Sequence, residues 1–185
     1  MSVLLLGGNG FIGSHLAERL RDAGHAVTVL DPRPMRGDVD WHGIDYRCAP
    51  VDDAGALDAA LAACDTVVHL AHTTVPATAN ADPARDVSTN LVGTLRVIEA
   101  MRRRGRRRIV YLSSGGTVYG DPGEAPVAET CPLRPIGSYG IVKAAIEHYL
   151  GMYAQAGDLA PLVLRPSNVY GPRQRPGAQG IVAAA

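Results

Sequence analysis

The chain has few aromatic residues and no excess of either charge. It contains one Phe, one Trp and seven Tyr in 185 residues, and Lys+Arg and Asp+Glu both number 18. This balance argues against a partner that is nucleic acid or an anionic membrane. No apolar run approaches the roughly 20 residues that a membrane-spanning helix needs. We therefore predict no membrane association.

Cysteine is also scarce. Cys48, Cys64 and Cys131 are odd in number, far apart in the chain and without the spacing of metal ligands. We expect free or buried thiols in a reducing compartment and no metal site. The N-terminal apolar run enters a glycine turn without a cleavage pattern, so we predict no signal peptide and a cytoplasmic protein.

The basic run at residues 102–108 is the exception to the even charge. Such a run could bind nucleic acid. It lies, however, at the C-terminal end of a predicted helix, where cations interact favourably with the helix dipole and Gly105 can cap the helix. It also lacks aromatic residues that would stack on bases. The helix-end interpretation is therefore favoured.

Strand and helix patterns alternate along the chain. The predicted strands are 3–6, 27–30, 45–48, 66–70, 108–112 and 162–165, and the predicted helices are 11–23, 54–63, 83–104 and 138–156, with another helix starting at 178. This alternation predicts an α/β fold, a Rossmann-type doubly wound parallel sheet. Ligands bind such sheets at the carboxyl ends of the strands. The segment 119–137 is rich in Pro and Gly and is expected to form a loop over the site.

A glycine-rich turn, residues 7–13, joins the first predicted strand to the first predicted helix. This is the context that a dinucleotide-binding motif requires. Gly7 can make the tight turn, and Gly10 lets the backbone approach a pyrophosphate at the helix N-terminus. Gly13 allows close packing of helix and strand.

Asp31 ends the second predicted strand, near the spacing expected for an acid that binds the adenosine ribose. Such an acid disfavours a 2′-phosphate, so the expected cofactor is NAD. Arg33 and Arg36 follow closely and keep NADP open as the less favoured alternative.

Tyr139 and Lys143 are four residues apart in a predicted helix, so they share one face about one turn apart. A phenol is a poor base at neutral pH because its ordinary pKa is about 10. We expect the Lys143 ammonium to lower the pKa of Tyr139, which would make the pair a proton-transfer device. The same spacing also occurs on ordinary surface helices, so the prediction of a catalytic pair depends on the other motifs of the chain.

Six ordered motifs together resemble the extended short-chain dehydrogenase/reductases, in particular the UDP-glucose 4-epimerase-like members of the NAD-dependent epimerase/dehydratase family. They are residues 7–13, 69–71, 90–94, 113–120, 139–143 and 164–174. The resemblance covers essentially the whole chain. It implies NAD as cofactor, a nucleotide sugar as substrate and C4 epimerisation as the reaction.

The resemblance also implies roles for individual residues. The backbone amides of Phe11 and Ile12 would contact the pyrophosphate. The other residues expected to bind the cofactor are Val51, Leu70, Ala71, His72, Asn90, Ser113, Tyr139, Lys143, Pro166 and Ser167. Lys143 would bind the nicotinamide ribose and activate Tyr139, and Asn168 would reach toward the sugar nucleotide.

Two departures from the family pattern concern the site. Pro50 stands where an Asp usually bonds the adenine amino group, and Asp52 or Asp53 could substitute for it. Gly115 stands where the catalytic Ser or Thr usually lies, four residues before Tyr119. Thr117 is the first candidate to supply that hydroxyl near the substrate, and Ser114 is the second.

Three alternatives to epimerisation are open: dehydration, reduction, and NAD binding without catalysis. Dehydratases of the family carry Asp-Glu where this chain has Gly-Thr at 116–117, so a general acid for dehydration is lacking.

Family members also have a second, C-terminal lobe that clasps the nucleotide. We therefore predict an NAD-binding domain at 1–165, the start of a truncated substrate lobe at 166–185, doubtful turnover by this chain alone, and self-association, with a homodimer as the candidate assembly.

Overall fold

The structure is a computed structural model that describes residues 1–123 and 126–174. Its strands are β1 Ser2–Leu6, β2 Ala26–Asp31, β3 Ile44–Cys48, β4 Thr66–His69, β5 Arg108–Leu112 and β6 Ala160–Leu164. Its helices are α1 Phe11–Asp22, α2 Ala54–Ala62, α3 Pro76–Ala79, α4 Pro83–Asp86, α5 Val92–Arg103 and α6 Ser138–Gln155, with a π-helical turn at Val87–Leu91 between α4 and α5.

The six strands form one parallel sheet in the order β3-β2-β1-β4-β5-β6. The order reverses between β1 and β4, which is where a doubly wound sheet opens a crevice for a ligand. The predicted Rossmann-type fold is confirmed.

The apolar strands bury side chains on both faces of the sheet, as parallel strands between two helix layers do. In β1, Leu4 and Leu6 pack into one core with α2, α5 and α6, whereas Val3 and Leu5 pack into the other core with α1. This alternation fixes the register of β1, and with it the position of the glycine turn.

The predicted helix 83–104 is divided by the π-helical turn. Thr94 donates a hydrogen bond to the backbone oxygen of Asn90 at 2.6 Å, and Thr89 donates one to that of Arg85 at 2.7 Å. Apolar periodicity alone does not reveal such a turn. The short helix α3 was not predicted, β6 begins two residues before its predicted start, and the helix predicted from 178 lies outside the described residues.

The last described residues fold back onto α1. The ring Nε2 of His15 lies 2.9 Å from the backbone oxygen of Pro172, and Arg173 forms an ion pair with Glu18 at 2.6 Å. Residues 166–174 thus cover one end of the crevice, while the predicted domain division at 165/166 stays a prediction.

Four of the six arginines of the basic run form ion pairs or hydrogen bonds within the chain. Arg102 pairs with Glu99 and Asp158, Arg104 pairs with Asp58, and Arg106 and Arg107 donate to backbone carbonyls. No helix among the described residues is long and apolar enough to span a bilayer.

Candidate active site

The predicted binding residues meet in a cleft at the carboxyl ends of the strands. One cavity of about 690 Å³ runs from Asp31 across Gly7 to Asn90, and a second of about 220 Å³ adjoins it around Tyr139. Both cavities have Gly7, Gly10, Phe11, Leu70 and His72 in their walls. The first volume is within the range of cofactor sites.

Gly7 and Gly13 of the glycine turn have no room for side chains. Gly7 has φ +80°, and a Cβ there would lie 2.8 Å from the Cα of Ala71. A Cβ on Gly13 would lie 2.7 Å from the Cα of Gly8. No side chain caps the N-terminus of α1, so its first amides remain available to an anion. This arrangement fits the pyrophosphate of a dinucleotide.

Asp31 is fully buried and lines the larger cavity. Its carboxylate accepts hydrogen bonds from the backbone amide of Asn9 at 3.1 Å and from the Arg33 guanidinium at 2.9 and 2.8 Å. The acid predicted to bind the ribose therefore lies in the cavity wall, where Arg33 is bound to it, and its ribose contact stays a prediction.

The loop after β3 carries the two acids proposed to replace the adenine-binding Asp, and they lie in different surroundings. Pro50, Val51 and Asp52 line the larger cavity. Asp53 instead caps α2, where its carboxylate accepts from the amides of Gly55 and Ala56, both at 3.0 Å. Asp52 is thus the acid available to a ligand in that wall.

Tyr139 and Lys143 both line the smaller cavity, as expected for neighbours on one face of α6. The Nζ of Lys143 lies 5.6 Å from the centre of the Tyr139 ring and 4.9 Å from that of Tyr111. Nζ also donates a hydrogen bond to the backbone oxygen of Leu112 at 2.7 Å. Lys143 is the only lysine in the chain.

The electrostatics of this pair differ from the prediction. Burial lowers the pKa of Lys143 to about 7, although Asp86 and Glu147 oppose the shift. Burial, together with Asp86, raises the pKa of Tyr139 above its ordinary value. The predicted net lowering of the phenol pKa is therefore wrong for this structure, because burial and the nearby Asp86 both raise it.

Asp86 and His72 complete the surroundings of Tyr139. The His72 ring packs edge-on against Tyr139 with centroids 4.8 Å apart, and its Nε2 lies 3.8 Å from Asp86. Burial lowers the pKa of His72 to about 2, so its imidazole is neutral. Asp86 was missed in the sequence because an acid after Pro83 reads as a helix-start residue.

The hydroxyl candidates lie in different surroundings. A Cβ on Gly115 would lie 2.7 Å from the backbone oxygen of Arg165, so this position has no space for the usual Ser or Thr. Ser113 donates its hydroxyl to Glu147. Ser114 lines the smaller cavity, whereas Thr117, with a buried Oγ1 that has no hydrogen-bond partner, is not part of either cavity wall.

The remaining predicted residues also reach the cleft. Leu70 lines both cavities and Ala71 the larger one, while Pro166, Ser167 and Asn168 line the smaller one with Ile12 and Ser113. Asn90 accepts a hydrogen bond from the backbone amide of Thr73 at 2.8 Å and so holds the loop after β4. Within the described ranges, no cluster of three or more His, Cys, Asp or Glu residues could hold a metal ion.

Comparison with known proteins identifies relatives with the same fold. The chain is 39% identical to the UDP-glucose 4-epimerase of Mycolicibacterium smegmatis, over 99% of this chain and 61% of that protein. It is 37% identical, with a TM-score of 0.89, to the Thermus thermophilus UDP-glucose 4-epimerase in complex with NAD, over 96% of this chain and 58% of that one. The Thermotoga maritima UDP-glucose 4-epimerase with UDP-glucose is 33% identical with a TM-score of 0.89, over 97% and 60% of the two chains.

The chain thus spans about three fifths of the length of these relatives. The profile of the "NAD dependent epimerase/dehydratase family" matches residues 3–185. The family prediction made from the six motifs is confirmed, and NAD as the family cofactor with it. The chain belongs to the NAD-dependent epimerase/dehydratase family.

Proposed function

We propose that this chain carries the NAD site and the catalytic residues of a nucleotide-sugar 4-epimerase that interconverts UDP-glucose and UDP-galactose. The observation that carries the proposal is the joint position of Tyr139 and Lys143 in the wall of a cavity that adjoins the dinucleotide cleft. The similarity to UDP-glucose 4-epimerases supports it.

In this proposal NAD binds along the larger cavity. The first amides of α1 would hold its pyrophosphate, and Asp31 would accept from its adenosine ribose. The bare Gly7 and Gly10 backbone and the absence of a side-chain cap on α1 support this placement. When bound, NAD supplies reversible hydride acceptance and a positive charge.

Tyr139 takes the proton of the sugar's C4 hydroxyl as that carbon is oxidised, and returns it after the 4-keto sugar has turned over. Lys143 stabilises the phenolate when it is an ammonium. The protein thus contributes orientation and proton transfer, while the redox chemistry belongs to the cofactor.

Dehydration is less well supported because both carboxylates near the pair are occupied by donors. Asp86 accepts from Thr74, Asn90 and Ser138, and Glu147 accepts from Ser113 and from Nε and Nη2 of Arg165. Neither is arranged as a proton donor to a substrate. Gly116 and Thr117 stand where a dehydratase would carry its acids.

The test is to supply UDP-galactose and NAD to the intact protein that contains this chain. We expect UDP-glucose to form. Accumulation of a 4-keto-6-deoxy sugar would instead identify a dehydratase. In a separate assay that supplies NADH and a nucleotide-linked 4-keto sugar, net consumption of NADH would identify a reductase. NAD binding without any sugar-dependent change in NADH absorbance would identify a non-catalytic binding module.

A homodimer is part of the proposal. Ile141, Tyr149 and Met152 are exposed apolar side chains of α6, at spacings that keep them close to one face. Exposed apolar faces of this kind favour association. Light scattering of the purified chain would show a mass of twice the monomer if α6 pairs in this way, and Met152→Glu should then restore the monomer.

A further inference from the structure

Asp86 is a buried carboxylate without a cationic partner. It is fully inaccessible, and among the described residues no Lys or Arg lies within ion-pair distance of it. Its charge is instead met by three neutral donors: Thr74 at 2.7 Å, the Asn90 amide at 2.8 Å and Ser138 at 2.7 Å. Burying a charge in this way is costly, so its retention next to a reactive pair calls for a role.

The partners of Asp86 surround Tyr139. Ser138 precedes Tyr139 at the start of α6, so its bond to Asp86 fixes the turn that carries the phenol. Thr74 and His72 lie in the wall of the Tyr139 cavity, and the His72 ring packs against the phenol. A single carboxylate therefore connects the loop after β4, the π-helical turn and the first turn of α6.

The charge of Asp86 also acts on Lys143. Lys143 is almost fully buried, makes its one hydrogen bond in the described structure to a backbone oxygen, and keeps part of its basicity because Asp86 and Glu147 raise its pKa against burial. Glu147 is already paired with Arg165 at 2.6 Å. Of Asp86 and Glu147, Asp86 is the one without a cationic partner among the described residues.

We propose that Asp86 is a positioning residue of this site: through Ser138, Asn90 and Thr74 it ties the turn that carries Tyr139 to the π-helical turn and to the loop after β4, and it is the carboxylate near the Tyr139–Lys143 pair that has no cationic partner among the described residues. The proposal deepens the proposed function and rests on it for the identity of the reaction. The placement of Tyr139 and the charge of Lys143 are properties of the folded chain alone.

The test uses the fact that the chain has one lysine. Chain labelled with carbon-13 at lysine Cε gives one lysine signal, whose chemical shift can be followed against pH. In the parent chain we expect a midpoint near the pKa of about 7. In Asp86→Asn we expect it to fall by about one pH unit, as loss of a nearby opposite charge predicts.

Other titratable groups around the pair could also alter the lysine chemical shift if they changed charge near pH 7. They are Glu147 on α6, paired with Arg165, His69 and His72 from the β4 end, Tyr111 on β5 and Tyr139 itself. Both histidines are neutral above about pH 4 because burial lowers their pKa, and burial raises the pKa of both phenols, so only Lys143 changes charge near pH 7.

Asp58→Asn is the matched control, because it removes an exposed carboxylate that is paired with Arg104 far from the cleft. It should leave the lysine midpoint unchanged. Ser138→Ala keeps the Asp86 charge and removes only its bond to α6. It should leave the midpoint unchanged but raise amide hydrogen exchange in the first turn of α6 about fivefold or more.

An unchanged midpoint in Asp86→Asn overturns the charge role, and unchanged exchange in Ser138→Ala overturns the placement role. If Asp86→Asn does not fold, Ser138→Ala decides the placement role, and the lysine midpoint of the parent chain decides the charge role: a midpoint more than about one pH unit below 7 would overturn it. None of these measurements needs a sugar substrate. A protein that fails to epimerise UDP-galactose but shows both changes would refute the proposed reaction and retain the role of Asp86.

Discussion

Arg33 holds the carboxylate of Asp31 with two hydrogen bonds, at 2.9 and 2.8 Å, inside the wall of the larger cavity. The sequence presented these residues as competing signals, one for NAD and one for NADP. In the structure they form one ion pair, with Asp31 buried and Arg33 about half exposed. An Arg neutralised by this acid has little charge left for a 2′-phosphate.

Asp31→Asn should therefore change cofactor preference. The amide is a weaker acceptor for ribose hydroxyls, and it releases the Arg33 guanidinium toward the cavity, so the affinity for NADP relative to NAD should rise about tenfold. Calorimetric titration with both cofactors measures the ratio. Asp45→Asn is the control, because Asp45 forms the same kind of pair with Arg47 two residues on but lies outside the cavity walls. Equal changes in both variants would contradict a specific role for Asp31.

The sheet and most of the cleft could be predicted from the sequence because their signals are local. Apolar runs, the glycine turn and Tyr139 with Lys143 each lie within a few neighbouring residues. What could not be predicted depends on packing between distant elements. Asp86 reaches Ser138 across 52 positions, and the pKa of Tyr139 is raised because several elements bury it. Neither effect leaves a local pattern.

Tyr139→Phe and Lys143→Met separate proton transfer from binding. Tyr139→Phe removes the proton acceptor but keeps the ring, so kcat should fall about 10²- to 10⁴-fold while NAD still binds. Lys143→Met should lower kcat and also weaken NAD, because the predicted contact with the nicotinamide ribose is lost.

The pH profile gives a second check on this pair. Burial and Asp86 raise the pKa of Tyr139, and an ammonium at 143 can only oppose that shift. In Lys143→Met the phenol should therefore lose its proton at still higher pH, and the rising limb of kcat should move to higher pH. These constants are to be measured in the intact protein. Near-normal turnover by Tyr139→Phe would show that the base lies elsewhere.

Restoring the usual hydroxyl at Gly115 should fail. A side chain there would meet the Arg165 carbonyl oxygen at 2.7 Å, so Gly115→Ser should lower the free energy of unfolding by about 1–3 kcal/mol and reduce activity. Gly116→Ser is the matched control, because its Cβ would have no neighbour within 4 Å and should cost less than about 0.5 kcal/mol. Urea unfolding of the two variants decides the matter. An active and stable Gly115→Ser protein would be the contrary result.

His69 and His72 should make stability depend on pH. Burial lowers their pKa values to about 3 and about 2, whereas unfolding returns both toward about 6.5. Below pH 6.5 the unfolded chain then binds more protons than the folded chain. For each of the two histidines, the free energy of unfolding should therefore fall by about 1.4 kcal/mol for each unit by which the pH decreases. The window from about pH 6 to 5 lies above the ordinary carboxylate pKa values and so isolates the histidines.

His72→Phe tests this assignment. The ring keeps its edge-on packing against Tyr139 while the titrating nitrogen is lost, so roughly half of the slope should disappear between pH 6 and 5. Urea unfolding at several pH values measures the slope. A slope equal to that of the parent chain would mean that His72 is already accessible to protons in the folded state.

Ser114 and Thr117 remain the two hydroxyls that could serve the substrate in place of Gly115, and the structure gives them different expected responses. Ser114 lines the Tyr139 cavity, so Ser114→Ala should lower kcat about tenfold or more if its hydroxyl contacts the sugar. The Thr117 hydroxyl is buried, has no partner and lies outside the cavity walls. Thr117→Val replaces it by a methyl group of similar size, which should leave kcat within about twofold.

The same substitution should raise the free energy of unfolding by about 1–3 kcal/mol, because an unsatisfied buried hydroxyl carries a desolvation cost of that order. Stability and kcat are therefore measured on the same Thr117→Val protein. If its kcat collapses while Ser114→Ala stays active, Thr117 supplies the hydroxyl, as the sequence first suggested. The buried Oγ1 would then have to turn toward the sugar when substrate binds, and its missing partner in the folded chain would be the substrate itself.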